Sequence, residues 1–190
     1  MAAKVLIAYA TKHGATKGIA QAAGSMLHSC GHQVRLLPAP VVQDVRGFDV
    51  VLIGSAVYHD QWLWDARRLV RRVRADLRDG PAVWLFSSGP IGGTPEGDAA
   101  LEREVGLDKE LPGHLERALH GVDVRGHAVF PGRMDQKVAA ELGTWVPFGD
   151  WRDMGMVREW ARRIGGSPAL PRLSEYPVPE PGWGRSLGRV

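Results

Sequence analysis

Short apolar runs alternate along the chain with segments whose apolar residues recur every three or four positions. Four runs bounded by turn residues have the pattern of strands buried on both faces, and they cover residues 5–10, 50–54, 82–87 and 127–130. A weaker run covers residues 33–37. Two of the intervening segments carry an apolar stripe at helical spacing, one made of Ile19, Ala22, Ala23, Met26, Leu27 and Cys30 and the other of Ala66, Leu69, Val70, Val73 and Leu77.

This alternation predicts an α/β fold in which a five-stranded parallel sheet forms the middle of a three-layer sandwich. The reason is that right-handed crossovers place helices on both faces of a parallel sheet. A further helical stretch covers residues 99–119, after a loop rich in glycine and proline. We therefore predict one compact domain over residues 1–166.

The end of this domain is marked by a helix with a buried stripe. We expect Asp150 to cap this helix, Asp153 to lie in its first turn, and Gly165 and Gly166 to end it. Residues 167–190 contain five prolines and three glycines. This composition predicts a tail without regular structure.

Composition places a few limits on the chain of 190 residues. Its only thiol is Cys30, so no internal disulfide can form, and we predict a cytoplasmic protein. The apolar runs are far shorter than the roughly 20 residues that span a bilayer. The net charge of +3 includes a cluster of arginines at Arg67, Arg68, Arg71, Arg72, Arg74 and Arg78. Such a cluster is typical of a solvated helix face, with an acidic partner or peripheral membrane contact as the alternative, and no nucleic-acid motif accompanies it.

The candidate site follows from the sheet, because ligands of open parallel sheets bind beyond the carboxyl ends of the strands. The loops after strands one, three and four read "ATKHGATK", "GSAVYHDQWLW" and "SSGPIGG". The first loop offers the hydroxyls of Thr11 and Thr16 and the backbone amides of residues 12–16, with Gly14 allowing close approach. This arrangement suits a phosphate at a helix N-terminus. The alternative is a plain strand-to-helix turn with a threonine cap.

The other two loops have the properties needed to hold a flat ring. Val57 and Tyr58, with Trp62 as a further candidate, can cover the ring, while the small third loop can bring its backbone to the ring edge. A rim tyrosine without a ligand is the alternative for Tyr58. We assign Trp84 and Cys30 to the core.

Other nucleotide folds and metal sites fit the sequence less well. The first loop lacks the G-x-G-x-x-G pattern of dinucleotide sites, and its lysine precedes the glycine, unlike a Walker A loop. Gly54 and Ser55 stand where a receiver domain would need an aspartate. The seven histidines show no metal-ligand spacing, and we expect His59 to be a solvated loop residue.

The first loop resembles the phosphate loop of the flavodoxin superfamily, T/S-x-T-G-x-T, with His13 in place of the middle threonine. That departure, together with "IGSAVYHDQWLWDARRLVRR" and "GDWRDMGMVREWARRI", is similar to the menaquinone-dependent protoporphyrinogen oxidase family. The resemblance covers roughly residues 3 to 165 and implies a flavodoxin-like sandwich with strand order 2-1-3-4-5. It also implies bound FMN. The phosphate would be held by Thr11, Lys12, His13, Gly14, Ala15 and Thr16. The isoalloxazine would be flanked by Ser55, Ala56, Val57 and Tyr58 and by Ser87, Ser88, Gly89, Pro90, Ile91 and Gly92.

The resemblance leads to three hypotheses about function. The first is an FMN-dependent oxidoreductase that passes reducing equivalents from an organic donor, such as a porphyrinogen, to a quinone or another acceptor. The second is an electron carrier of the flavodoxin type, although such carriers resemble acidic proteins and this chain has a basic balance. The third is a flavodoxin-like binding module without a cofactor.

Overall fold

A computed structural model describes residues 2–78, 80–143 and 146–167 of the chain. The predicted tail, apart from its first residue, lies outside the described residues. The strands in chain order are β1 (Lys4–Ala10), β2 (Gln33–Pro38), β3 (Val50–Tyr58), β4 (Gln61–Trp62), β5 (Ala82–Ser88), β6 (Val124–Phe130), β7 (Arg133–Met134) and β8 (Gly149–Asp150). The helices are α1 (Ala15–Ser29), α2 (Trp64–Arg78), α3 (Pro95–Glu104), α4 (Gly113–Ala118), α5 (Gln136–Leu142) and α6 (Met154–Gly165), and a 3-10 turn covers Ala39–Val41.

The main sheet is parallel and has the order β2-β1-β3-β5-β6, with the short β4 added antiparallel to β3. With β5 and β6 as the fourth and fifth long strands, this is the predicted order 2-1-3-4-5. The fold class is therefore confirmed. The sequence reaches this fold because β1, β3 and β5 are apolar on both faces and can only be buried between two helical layers.

The core consists of two layers, one on each face of the sheet. On one face α1 and α6 pack on β1, β3 and β5, and Trp160 of α6 lies edge-on to Phe86 and Phe130 with ring centroids 5.7 and 5.5 Å apart. Trp84 belongs to this layer, as predicted. On the other face, α2 buries its stripe and exposes most of its arginines, and Leu115 of α4 joins the same layer. Within the described residues, no helix is long and apolar enough to cross a membrane.

The structure corrects the predicted loop after the third strand. β3 continues through Ser55 to Tyr58 and turns back into β4 through His59 and Asp60, whose φ angles are 50° and 56°. Positive φ at both central residues is the geometry of the tightest hairpins, because it matches the twist of the paired strands. Most of the predicted loop is therefore a strand and a hairpin, and His59 is exposed at its tip as expected.

The helix predicted over residues 99–119 is two helices. α3 begins earlier, where the hydroxyl of Thr94 accepts a hydrogen bond from the amide of Gly97 at 3.1 Å. The chain then leaves the helix because Gly106 exchanges two backbone hydrogen bonds with Val129 of β6, at 3.0 and 2.8 Å. This contact covers the edge of the sheet, and α4 follows it.

The last helix is capped by a different aspartate from the one predicted. The carboxylate of Asp153 accepts a hydrogen bond from the amide of Met156 at 2.9 Å, whereas Asp150 lies in β8 and forms an ion pair with Arg152. The helix ends at Gly165 with Gly166 as its C-cap, as predicted. Cys30 caps the C-terminus of α1 and is half-buried, so it lies at the border of the core and not inside it.

Candidate functional site

The first loop ends at Gly14, the residue that caps α1. Gly14 has a φ of 83°, and its amide donates a hydrogen bond to the Thr11 hydroxyl at 3.0 Å. A Cβ added at Gly14 would have no neighbour within 4 Å. The glycine is thus required by the backbone conformation, and the space beside it is open to a ligand.

The first turn of α1 has polar groups that lack partners within the described part of the chain. No side chain caps this helix, and no acidic residue lies in its first turn. The Thr16 side chain is fully buried, and its hydroxyl oxygen has no hydrogen-bond partner. Buried hydroxyls are normally paired, so an unpaired one beside uncapped helix amides is the arrangement that an anion would complete.

The second loop contacts the first through its aromatic residue. The Lys12 ammonium lies 5.3 Å from the centroid of the Tyr58 ring, a cation–π distance. Tyr58 is half-buried, and this burial raises the pKa of its phenol, which therefore stays neutral near pH 7. The contact between Lys12 and Tyr58 thus joins the loop after β1 to the end of β3.

The strand register brings the three loops side by side. Ala10 at the end of β1 lies opposite Ser55, which lies opposite Ser87. Ser55 itself is buried, and its hydroxyl accepts from the Leu63 amide at 3.0 Å while donating to the Ala56 carbonyl at 2.8 Å. Ser55 and Ala56 are therefore interior strand residues, whereas the side chain of Tyr58 reaches the rim.

The third loop contacts the segments around Gly132 and Trp151, which the sequence did not place beside the site. The Gly132 amide donates to the Pro90 carbonyl at 2.8 Å, and the Trp151 amide donates to the Gly132 carbonyl at 3.2 Å. A Cβ added at Gly92 would lie 2.6 Å from the Trp151 indole nitrogen. These contacts fix the backbone of the loop. Sequence analysis singled out the motif that contains Trp151, but nothing in the chain order places this motif beside the third loop.

A buried chain of hydrogen bonds runs beneath the second and third loops. The Trp62 indole donates to the Ser87 hydroxyl at 2.8 Å, and that hydroxyl lies 2.8 Å from His127 Nε2. His127 Nδ1 is 3.0 Å from the backbone carbonyl of Glu110. Trp62 is 1% exposed, so this ring candidate is a core residue and not a cover of the rim. Burial lowers the pKa of His127, which favours the neutral imidazole.

The family model described as a flavodoxin domain matches residues 6–141 of this chain. The chain belongs to the flavodoxin domain family.

Solved structures agree with this assignment at the level of the fold. A flavodoxin from the domain Archaea aligns with a TM-score of 0.56 and 13% identity over 85% of this chain and 96% of its own. The two-electron reduced flavodoxin of Megasphaera elsdenii aligns with a TM-score of 0.54 and 17% identity over 86% and 99%. The flavodiiron protein of Giardia intestinalis matches over 85% of this chain but only 35% of its own, with a TM-score of 0.53 and 14% identity. No curated protein sequence matches the chain.

This flavodoxin domain has a half-buried arginine beside the phosphate loop, to which the sequence assigned no role of its own. Arg152 has a side chain 12% exposed, and its Nε donates to Asp150 at 2.7 Å. Its Nη1 lies 3.5 Å from the Ala15 carbonyl, and a Cβ at Gly18 would overlap the guanidinium. Arg152 therefore holds the segment before α6 against the first turn of α1. Its hydrogen bond lowers the pKa of the Asp150 carboxyl, which stays ionised.

The domain also has a cavity of about 870 Å³ whose lining includes part of the predicted ring-binding residues. Among the residues predicted for the site, it is lined by Val57, Ser87, Gly89, Pro90 and Ile91. No residue of the first loop lines it. The predicted residues therefore form two adjoining regions: a polar cradle at α1 and a rim that opens into this cavity.

Proposed function

We propose that this flavodoxin domain binds FMN and acts as an oxidoreductase that passes reducing equivalents from an organic donor to a quinone or another acceptor. The observation that carries the cofactor assignment is the buried, unpaired hydroxyl of Thr16 beside the uncapped N-terminus of α1. A phosphate would accept hydrogen bonds from that hydroxyl and from the first-turn amides. The flavin would supply the electron chemistry, and the protein would position it.

Each of the other loops has a role in this proposal. Tyr58, neutral and held near Lys12, would cover one face of the isoalloxazine. The backbone of residues 89–92, fixed by Gly132 and Trp151, would line the ring edge and keep water from it. Lys12 would add positive charge near the phosphate, and Arg152, paired with Asp150, would fix the segment beside it. These roles follow from the side chains present, and FMN fits them.

Enzymatic activity is favoured by the cavity next to the rim, since a pure electron carrier needs no room for a second organic molecule. The porphyrinogen implied by the sequence resemblance is one candidate donor. Its support is the motif around Trp151 and Arg152, both of which contact the predicted cofactor loops.

The second candidate function is an electron carrier, favoured by the match to flavodoxins over nearly their whole length. The two functions differ in how the bound cofactor takes up electrons. Stepwise one-electron reduction during a reductive titration would favour the carrier, whereas direct two-electron reduction would favour the enzyme.

The decisive experiment compares FMN with riboflavin, which has the same ring but no phosphate. Flavin-free protein is titrated with each compound, and binding is followed by quenching of flavin fluorescence. We expect FMN to bind at least about 100-fold more tightly, because the lost contacts include several charge-assisted hydrogen bonds. At 100 times its dissociation constant FMN should stabilise the fold by about 2.7 kcal/mol.

Two further results bear on this proposal. Equal affinity for FMN and riboflavin would contradict the role of the first loop. Absence of binding by either compound, together with an unchanged melting temperature, would favour the binding module without a cofactor. If FMN binds, the proposed oxidoreductase activity is tested by adding candidate donors without oxygen and following the loss of the visible absorption of the flavin.

A further inference from the structure

The cavity beside the rim is walled by the sheet on one side and by the segment between β5 and β6 on the other. Ser87, His127 and Val129 come from the strands, and Gly97, Ala100 and other residues of α3 face them. Its volume of about 870 Å³ lies in the range of cavities that hold drug-sized ligands. The cavity can therefore take a molecule of two or three fused rings.

In the cavity wall, the partners of Ser87 and His127 determine which of their atoms donate and which accept hydrogen bonds. The Trp62 indole can only donate, and the Glu110 carbonyl can only accept. His127 must therefore donate from Nδ1 to that carbonyl and accept at Nε2, which leaves the Ser87 hydroxyl to donate to Nε2. Ser87 then has one free lone pair. The Ser87 oxygen can therefore accept a hydrogen bond from a ligand that carries an O–H or N–H group.

The charges around the cavity select against anions. The carboxylates that line it belong to Asp60, Glu96, Glu104, Asp108 and Glu110, and the cations to Arg103 and Lys109. Arg103 is paired with Glu104 at 2.8 Å, and the Lys109 ammonium donates to the Arg103 carbonyl at 3.0 Å. The remaining carboxylates give the lining a negative balance. A ligand that carries carboxylates of its own would be repelled.

We propose that this cavity binds an uncharged aromatic molecule of two or three rings with a phenolic hydroxyl, and that the hydroxyl donates a hydrogen bond to Ser87. The identification of this molecule as the organic donor rests on the proposed function. The negative balance of the lining favours a hydroquinone-type donor over a porphyrinogen, because porphyrinogens carry several carboxylates.

The same pair accepts the proton that such a donor releases. Oxidation of a hydroquinone to a quinone breaks its two O–H bonds and releases two electrons and two protons, and bound FMN would supply the acceptor for both electrons and one proton. The second proton, that of the hydroxyl bonded to Ser87, would pass to Ser87 as the proton of Ser87 moves to His127 Nε2, which leaves a neutral quinone and a His127 imidazolium. Burial lowers the pKa of His127, so the imidazole is neutral before the reaction and its Nε2 carries no proton.

The experiment uses three redox-inert probes and the full chain. The probes are 2-naphthol, 2-methoxynaphthalene, which lacks the donor, and 6-hydroxy-2-naphthoate, which adds a charge. We expect 2-naphthol to bind about tenfold or more tightly than either of the others. Ala100→Trp, which fills the cavity from α3, should abolish binding of 2-naphthol. Ala99→Trp is the matched control, because Ala99 is exposed on the same helix and does not line the cavity.

Ser87→Ala tests the hydrogen bond itself and should remove the preference for 2-naphthol over the methyl ether. Equal affinities of the three probes for the parent protein, or unchanged binding to Ala100→Trp, would overturn the proposal. So would competition between FMN and 2-naphthol, since the cavity would then be the site of the flavin ring. Binding of 2-naphthol to a protein that does not bind FMN would instead support the cavity site and contradict the proposed oxidoreductase.

Discussion

Replacing Thr16 by valine tests the phosphate loop through two measurements that should move in opposite directions. Valine has nearly the shape of threonine but no hydroxyl, and the hydroxyl of Thr16 is buried without a partner. An unpaired buried hydroxyl costs about 1–3 kcal/mol. Thr16→Val should therefore raise the free energy of unfolding of the flavin-free protein by about 1 kcal/mol. Since a hydrogen bond to a charged group contributes about 1.5–3 kcal/mol, the affinity for FMN should fall between about 10- and 150-fold.

The matched control is Thr11→Val, in the same loop. The Thr11 hydroxyl already accepts a hydrogen bond from the Gly14 amide at 3.0 Å. Its removal leaves that amide without its partner, so the free energy of unfolding of the flavin-free protein should fall by about 1 kcal/mol. Urea unfolding without flavin gives the stabilities of both variants, and fluorescence titration gives the FMN affinities.

The reasoning would be refuted by a destabilised Thr16→Val variant that binds FMN normally. That outcome would mean that the Thr16 hydroxyl has an internal role in the fold and does not face the phosphate. Stabilisation without loss of FMN affinity would refute only the cofactor contact, because the unpaired hydroxyl would still be demonstrated.

Three further predictions concern the sheet, a helix cap and the buried histidine. Gly54→Ala should lower the free energy of unfolding by about 3 kcal/mol in urea, because the added Cβ would overlap the ring of Phe86. Asp153→Ala removes the acceptor of the Met156 amide and should cost about 1 kcal/mol in thermal unfolding, which checks that this aspartate is the cap. Burial lowers the pKa of His127, so acid favours the unfolded chain, which binds the proton more readily. The free energy of unfolding should fall as the pH drops below about 6.5, by at most about 1.4 kcal/mol per pH unit from this group, and His127→Gln should flatten the profile.

The sequence predicted the sheet well because buried parallel strands have a pattern that few other elements share. The predicted strand ends at Gly54, four residues before the end of β3, because glycine is uncommon inside strands. In the structure Gly54 is glycine because the ring of Phe86 lies against it. The hairpin beyond it depends on burial of Trp62 against Ser87, a contact between residues 25 positions apart. Local propensity contains no information about such a contact.

The helix prediction over residues 99–119 failed for a similar reason. The apolar spacing there is compatible with one helix, but Pro112 stands inside the predicted range and is the N-cap of α4. Gly106 leaves the helix to pair with Val129 at the exposed edge of the sheet. Covering an edge strand satisfies backbone groups that would otherwise be open to other chains, and this tertiary gain outweighs a weak helical preference.

The chemistry of the cavity depends on a register shift that no sequence pattern specifies. β5 and β6 pair Val83 with Val124 but Trp84 with Gly126, so the partner strand advances by two residues while β5 advances by one. Side chains alternate between the faces of a sheet, and a shift of one residue therefore exchanges the face to which every later residue of β6 belongs. Without the shift, His127 would lie opposite Phe86 and face the layer of α1 and α6. With it, His127 lies on the face of Ser87, and the serine and histidine that line the cavity become neighbours. The phosphate loop could be found from the sequence because its groups are adjacent in the chain, whereas the Ser87–His127 pair exists only once the irregularity in the sheet is known.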